Sequence, residues 1–297
     1  MKTTAQWLDI SPGQSKFVHT WHPDAQAPQA NVAIIHGLGE HGGRYAPLAG
    51  RFVDAGFSVS AFDQQGHGRS PESRGKIRSY QSLLSDISAF MQWNRTQYPE
   101  VPTILFGHSM GGNLVINFAL RESAELGYVI SSSPMLEKAV PVSPIVVRLA
   151  RWLMRIAPNV KLHSQIIPER LMSDPAEQQM LCEDKLFHNQ MTLRLGAGLV
   201  DSGHWALEHA DQLRSPLLLS HGTSDYMTCY KASVEFARRA GKLCELVVWE
   251  GELHDPFRGL HRDAIIARYV DFVHQAVQAD AHSGRPKTRA RPQELGL

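Results

Sequence analysis

Gly107-His108-Ser109-Met110-Gly111 sets a serine inside a G-x-S-x-G pattern. The apolar run Thr103–Phe106 precedes it, and helical spacing at Leu114, Val115, Phe118 and Ala119 follows. A serine on so sharp a strand-to-helix turn projects its Oγ into a cleft at the top of a sheet, where it can attack a carbonyl carbon. Glycines flank it because side chains there would collide with neighbouring backbone. The N-terminus of the following helix also favours a developing negative charge. A chance Gly/Ser-rich turn gives the same letters, but the attached strand and helix argue against chance.

A serine hydroxyl is a poor nucleophile near neutral pH and needs a base held by an orienting group. Around such a turn the partners follow in the order serine, acid, histidine. Asp225, in HGTSD, comes after the apolar run Pro216–His221, and His254, in EGELHD, comes after Leu243–Trp249. With 15 histidines in the chain, most are structural, and it is position that singles out His254. For Asp225 the plain alternative is a turn-forming aspartate. Asp201 is the other acid to consider, whereas Glu252 and Asp255 stand too near His254 in sequence to orient it easily. His254 would take the Ser109 proton and hand it to the leaving alcohol. Asp225 would fix the imidazole tautomer and stabilise the imidazolium.

The oxyanion of such a reaction needs two N–H donors. Met110, directly after the serine, is one. The other is expected from His36-Gly37-Leu38-Gly39, after the run Asn31–Ile35, with Leu38 as donor and the glycines letting the backbone turn. An ordinary Gly-rich turn is the alternative. Gly37 and Glu40 are expected on the substrate side of this loop, and Glu40 and His41 can brace it. Asp63-Gln64-Gln65-Gly66-His67-Gly68 reads as scaffold before substrate contact, since its glycines permit a tight loop after a buried strand.

The elements that must position these groups are legible in the same way. Asn31–His36, Phe57–Asp63, Thr103–Phe106, Tyr128–Ser131, Pro216–His221 and Leu243–Trp249 are short, nearly continuous apolar runs, as in strands buried on both faces. Helical faces lie between and after them, at Leu83, Ile87, Phe90 and Met91 and at Ile265, Ile266, Tyr269, Val270 and Val273. The alternation predicts a doubly wound open α/β sheet with function at the carboxyl ends of its strands. Residues 135–211 show helical patterns and prolines but no convincing strand, which predicts a helical cap inserted between core parts 1–134 and 212–280. Within it, Pro144 and Pro158 bracket IVVRLARWLMRIA, with Arg148, Arg151 and Arg155 along one stripe and Trp152 among apolar residues elsewhere. That composition suits a helix lying on a lipid surface, or one packing its apolar face on the core. The polar, basic stretch 281–297 reads as a disordered tail.

The motifs HGLGEHGGRY, FDQQGHGRS, GHSMGG, SSPM and HGTSD and the final histidine loop appear in that order over roughly residues 15–275. Together they resemble the monoacylglycerol lipase and lysophospholipase-like serine hydrolases of the α/β-hydrolase fold. The resemblance implies the triad and oxyanion positions above, a lipid ester substrate, a helical lid over an acyl channel and no cofactor. Two positions depart from the family pattern. Gln64 stands where histidine is usual, and Asp255, followed by Pro256, stands where glutamate is common. Neither touches the triad; both bear on the shape of the alcohol site.

Other classes fit less well. A net charge of +1 gives no global field for nucleic acid. No H-E-x-x-H occurs, and His204 and His209 are not spaced for one helical face, so no catalytic metal is expected. Serine at the turn disfavours chemistry that begins with an aspartate nucleophile. An acyltransferase would use the same acyl-enzyme, a carboxylesterase for small soluble esters the same triad, and a binding protein on this scaffold would not need the triad intact. Three separated cysteines, no apolar leader and no apolar run long enough to span a bilayer predict a cytoplasmic protein, with the cap helix as its point of peripheral membrane contact and no obligate protein partner evident.

Overall fold

The computed structural model describes residues 1–282 apart from 12, 25, 123–126, 141–142 and 165. The six apolar runs form strands β3 (Asn31–Ile35), β4 (Ser58–Phe62), β5 (Thr103–His108), β6 (Tyr128–Ser132), β9 (Leu217–Gly222) and β10 (Cys244–Trp249), all mutually parallel where they pair. A hairpin of β1 (Lys2–Ser11) and β2 (Gln14–His22) adds to them antiparallel. The result is an eight-stranded sheet in the order β1-β2-β4-β3-β5-β6-β9-β10.

Side chains alternate faces along each strand, and the sheet is covered accordingly. Leu217 and Leu219 share one core with Leu83, Ile87 and Phe90 of α2 (Tyr80–Gln97), Leu114 and Phe118 of α3 (Met110–Arg121) and Phe236 of α8 (Tyr230–Ala240). Leu218 joins the opposite core with Leu48 and Phe52 of α1 (Ala46–Asp54) and Ile265, Tyr269 and Phe272 of α9 (Arg262–His282). This is the mostly parallel, doubly covered α/β-hydrolase sheet the sequence predicts.

Between β6 and β9 run α4 (Pro144–Ile156), α5 (Pro168–Leu171), α6 (Pro175–Glu183) and α7 (Leu193–Glu208). The strandless expectation needs correction there, because β7 (Lys161–His163) and β8 (Gln190–Thr192) form a short antiparallel pair. At three residues each, they are too short to leave a periodic signal. Ala281 and His282 end α9; the rest of the expected tail, 283–297, lies outside the described residues. Among the described residues, no helix is long and apolar enough to cross a membrane.

Candidate active site

Ser109 sits between the end of β5 and the start of α3 with φ 55° and ψ −113°. A non-glycine residue with positive φ is strained by about 1–3 kcal/mol. Neighbouring glycines make the turn possible. A Cβ on Gly107 would overlap the carbonyl oxygen of Gly111, and one on Gly111 would overlap that of Ile35.

The turn aims Ser109 Oγ at His254 Nε2, 2.9 Å away. His254 Nδ1 in turn lies 2.7 Å from Asp225 Oδ2. Three loops at the carboxyl ends of β5, β9 and β10 therefore meet, bringing Ser109, Asp225 and His254 together. Burial alone would lower the His254 pKa, but Asp225, by charge and hydrogen bond, together with the charges of Asp255 and Glu40 outweighs it, and the net shift is upward. Burial would likewise raise the Asp225 carboxyl, yet His254 and His221 hold it far below the usual range. Asp201 is elsewhere: it lies exposed on α7, accepting from Arg151 of α4 at 3.0 Å.

Asp225 is held more fully than the sequence reveals. Its Oδ1 accepts from the backbone N–H of Met227 (2.7 Å) and Thr228 (3.0 Å). Its Oδ2 also takes the Thr228 hydroxyl at 2.7 Å and His221 Nε2 at 3.0 Å. Burial keeps the His221 pKa low, so the ring is neutral near pH 7. With Nε2 donating to Asp225, His221 Nδ1 accepts from the Ser233 hydroxyl at 2.8 Å. The histidine four residues before the acid in HGTSD was the signal available for this contact.

The loop after β3 lies against the nucleophile turn, since a Cβ on Gly37 would stand 3.4 Å from the Ser109 Cβ. Leu38 follows Gly37 there. Met110 is the first residue of α3, so its N–H has no intrahelical acceptor. Glu40 accepts the Gly37 N–H (3.0 Å) and the Tyr45 hydroxyl (2.8 Å) on one oxygen, and Arg258 (2.6 Å) and Arg44 (3.2 Å) on the other. Burial would raise the Glu40 carboxyl, but the charges of Arg258 and Arg44 hold it well below the ordinary value. Both oxygens of Glu40 and the Gly37 N–H are thus engaged within the protein, as a brace rather than as groups offered to a ligand.

Arg258 continues the brace to Asp255 (2.9 Å), which receives His108, beside the serine, at 2.6 Å. Gln64 lies in the scaffold: its backbone N–H donates to His36 Nε2 (3.0 Å) and its amide to the His36 carbonyl (2.7 Å). The two departures from the family pattern, Gln64 and Asp255, therefore face structural partners.

Comparisons with known proteins place the fold in a family. The serine aminopeptidase S33 family (Hydrolase_4) matches residues 26–260. A monoacylglycerol lipase of Mycolicibacterium smegmatis is 30% identical over 239 residues, covering 80% of this chain and 85% of its own. An uncharacterized abhydrolase domain-containing protein of Dictyostelium discoideum is 30% identical over 282 residues, which is 94% of this chain but 30% of that longer protein. The crystal structure of a Paleococcus ferrophilus monoacylglycerol lipase superposes with a TM-score of 0.80 at 30% identity, covering 89% of this chain and 100% of that one. With the matched stretch spanning the nucleophile turn and both partner loops, the chain belongs to the serine aminopeptidase S33 family of α/β-hydrolases.

Proposed function

We propose that this protein hydrolyses the carboxylic ester of a lipid, a monoacylglycerol or lysophospholipid, through an acyl-enzyme on Ser109. The observation that carries the reading is the unbroken relay from Ser109 Oγ to His254 (2.9 Å) and from His254 to Asp225 (2.7 Å). Ser109 Oγ attacks the ester carbonyl carbon while His254 Nε2 takes its proton. The tetrahedral oxyanion is received by the N–H groups of Leu38 and Met110, with Gly37 and Glu40 bracing the Leu38 loop. The intermediate collapses, the C–O bond breaks, and His254 returns the proton to the leaving alcohol. Water then attacks the acyl-enzyme by the same route and releases the carboxylic acid. Every step is proton transfer and acyl transfer, which this chain's own groups supply.

The names of the M. smegmatis and P. ferrophilus relatives support a monoacylglycerol substrate. Residues 135–211 act as the cap over the acyl site. Their backbone joins the site's loops, with His188 N–H donating to Gly39 O (3.0 Å) and Asp255 N–H to Leu171 O (2.7 Å). Peptidase action, which the family's description raises, would need a free acid to receive a substrate ammonium. Glu40 and Asp255, beside the site, are both engaged by Arg258. The test is a panel of monoacylglycerols, lysophospholipids, p-nitrophenyl esters of graded chain length and aminoacyl p-nitroanilides, run with and without an alcohol acceptor. Highest kcat/KM on long-chain monoesters is expected. A preference for short soluble esters, for anilides or for acyl transfer to the alcohol would replace this reading.

A second reading concerns α4, four of whose apolar residues are exposed. Ile145, Leu149, Trp152 and Ile156 are 70%, 62%, 58% and 65% exposed. At 100° per residue they fall on one stripe, flanked by the exposed Arg148, Arg151 and Arg155. This supports α4 as a peripheral contact with anionic lipid, dipping its stripe into the interface from which a long-chain ester would enter.

A further inference from the structure

We propose that His19, His41 and Asp63 bind a first-row divalent cation, Zn2+ by ligand type, which clips strands β2 and β4 to the loop that carries Leu38. The site is independent of the ester chemistry. His19 lies on β2 opposite Ala61 of β4, Asp63 follows β4 directly, and His41 ends the loop after β3. One ligating atom from each lies within 4.8 Å of the other two. His19 Nε2 and Asp63 Oδ1 are 3.5 Å apart. Two ligands of a tetrahedral Zn2+ with bonds of about 2.1 Å stand roughly 3.4 Å apart, so this spacing already matches.

The unsatisfied atoms point the same way. Among the described residues, His41 Nδ1 is buried without a hydrogen-bond partner, and His19 Nε2 has only the Asp63 carboxylate, at 3.5 Å; an unpartnered buried nitrogen is rare enough in proteins to need a cause. His41 is also oriented as a ligand. Its Nε2 lies 3.0 Å from Asp184 Oδ2, and donating that N–H leaves the lone pair on Nδ1, which stands near the His19 ring, since a Cβ on Gly43 would reach both. A carboxylate behind a ligating imidazole is the usual outer arrangement of a histidine–metal site. Asp63 is fixed as well, accepting the Gly42 N–H on Oδ1 and the Arg69 N–H on Oδ2, each at 2.8 Å. The space between the rings is kept open by a glycine. A Cβ on Gly43 would stand 3.0 Å from His19 Cε1 and 3.1 Å from His41 Nδ1.

Two imidazoles and a carboxylate suit Zn2+ and leave a fourth position for water. Through Asp184, in the segment between α6 and β8, the clip reaches the cap. The ligands come from positions 19, 41 and 63, so no local spacing announces them. His108, His254 and Asp255 form a second cluster of similar dimensions, but the reaction uses His254, and Asp255 is paired with Arg258. The test must keep the two clusters apart.

The full chain, stripped with a chelator, is titrated with ZnCl2 by calorimetry and with CoCl2 by visible absorption. The expected result is a single saturable Zn2+ equivalent with submicromolar affinity and a tetrahedral Co2+ spectrum, both unchanged in His254→Gln. His19→Gln, checked for folding by circular dichroism, should lose at least about 100-fold in affinity. Asp184→Asn, which removes no ligand, should lose about 10–100-fold, the usual effect of an outer-shell partner. That loss would also stand as evidence if His19→Gln failed to fold. Absence of saturable binding, undiminished binding in His19→Gln or Asp184→Asn, or loss of the site in His254→Gln would overturn the proposal.

Discussion

Helices α7 and α4 belong to the same segment between β6 and β9, and both are amphipathic, yet α7 buries large apolar residues in the main core while α4 leaves Ile145, Leu149, Trp152 and Ile156 exposed. In α7, Leu195, Leu199 and Ala206 are buried in the main core. A polar seam fixes the helix further: Ser202 Oγ donates to Asn113 Oδ1 (3.0 Å), Tyr80 donates to the same oxygen (2.7 Å), and Asn117 donates to Ser202 O (3.2 Å). In α4 the apolar stripe points to solvent and the described ties to the rest are few, among them Arg151 to Asp201. One helix continues the scaffold beneath the nucleophile, Asn113 lying on α3 one turn past Ser109. The other leaves the stripe of Ile145, Leu149, Trp152 and Ile156 outside the fold. Stability and chemistry should therefore depend on the α7 side, and delivery of an insoluble substrate on the α4 side.

The sharpest way to break this division is at the nucleophile. Ser109→Ala should lower kcat by about 10⁴ to 10⁶ on soluble and vesicle-borne esters alike while the fold is kept. A kcat within tenfold of the parent on either substrate would sink the triad. Asp225→Asn should cost about 10⁴ in kcat by misassigning the imidazole tautomer, with Asp201→Asn near normal; the reverse pattern would move the acid onto α7. On α4, replacing Arg148, Arg151 and Arg155 together with Gln removes attraction of about 1 kcal/mol each near an anionic surface. Vesicle binding at low salt should fall by up to roughly 100-fold on that figure, with hydrolysis of a short soluble ester unchanged. Equal vesicle binding by parent and triple variant would end the docking role of α4.

Smaller effects sharpen the contrast. Asn113→Ala leaves buried partners unsatisfied and should destabilise by about 1–3 kcal/mol, whereas Leu149→Ser on the exposed stripe should stay within about 0.5 kcal/mol. Urea melts of both compare the two helices directly, and comparable losses would mean α4 is also part of the scaffold. The last effect is one of direction. His254 must be neutral to accept the Ser109 proton, and its pKa is raised from 6.5. Activity should therefore fall as pH drops through a single ionisation lying above 6.5. A profile with no acid limb down to about pH 4, well under the reference histidine value, would separate His254 from the base.

Much of this was legible in the sequence because it is local. The strands that end in functional loops are short apolar runs, with β3, β5 and β9 buried on both faces and β10 partly buried at the sheet's edge, and the triad residues stand in the loops after β5, β9 and β10. The hairpin of β1 and β2 was missed for the complementary reason. β1 lies at the sheet's edge, exposed on both faces from Lys2 to Trp7, and β2 inside it mixes buried Val18 and Trp21 with polar residues, so neither KTTAQWLDIS nor QSKFVHTWH runs apolar. Long-range polar partnerships were also invisible. Glu40 and Arg258 are 218 residues apart, and no spacing rule joins them. Nor does the pattern of IVVRLARWLMRIA say which way its apolar face turns, because periodicity gives a face and only packing decides what meets it. His221 lay in plain view four residues before Asp225, but it counts only once the fold puts its ring on the same carboxylate oxygen.

The left-handed backbone at Ser109 has a consequence for how this protein can change. Any side chain there carries the strain of the turn, and glycine would relieve about 1–3 kcal/mol of it against a loss of roughly 0.5–1 kcal/mol in chain entropy. Ser109→Gly should therefore melt above the parent; a lower melting temperature would locate the strain elsewhere. A library sorted for thermal resistance alone would enrich inert proteins at this position. Wherever catalysis stopped being selected, the serine would be among the first residues to drift.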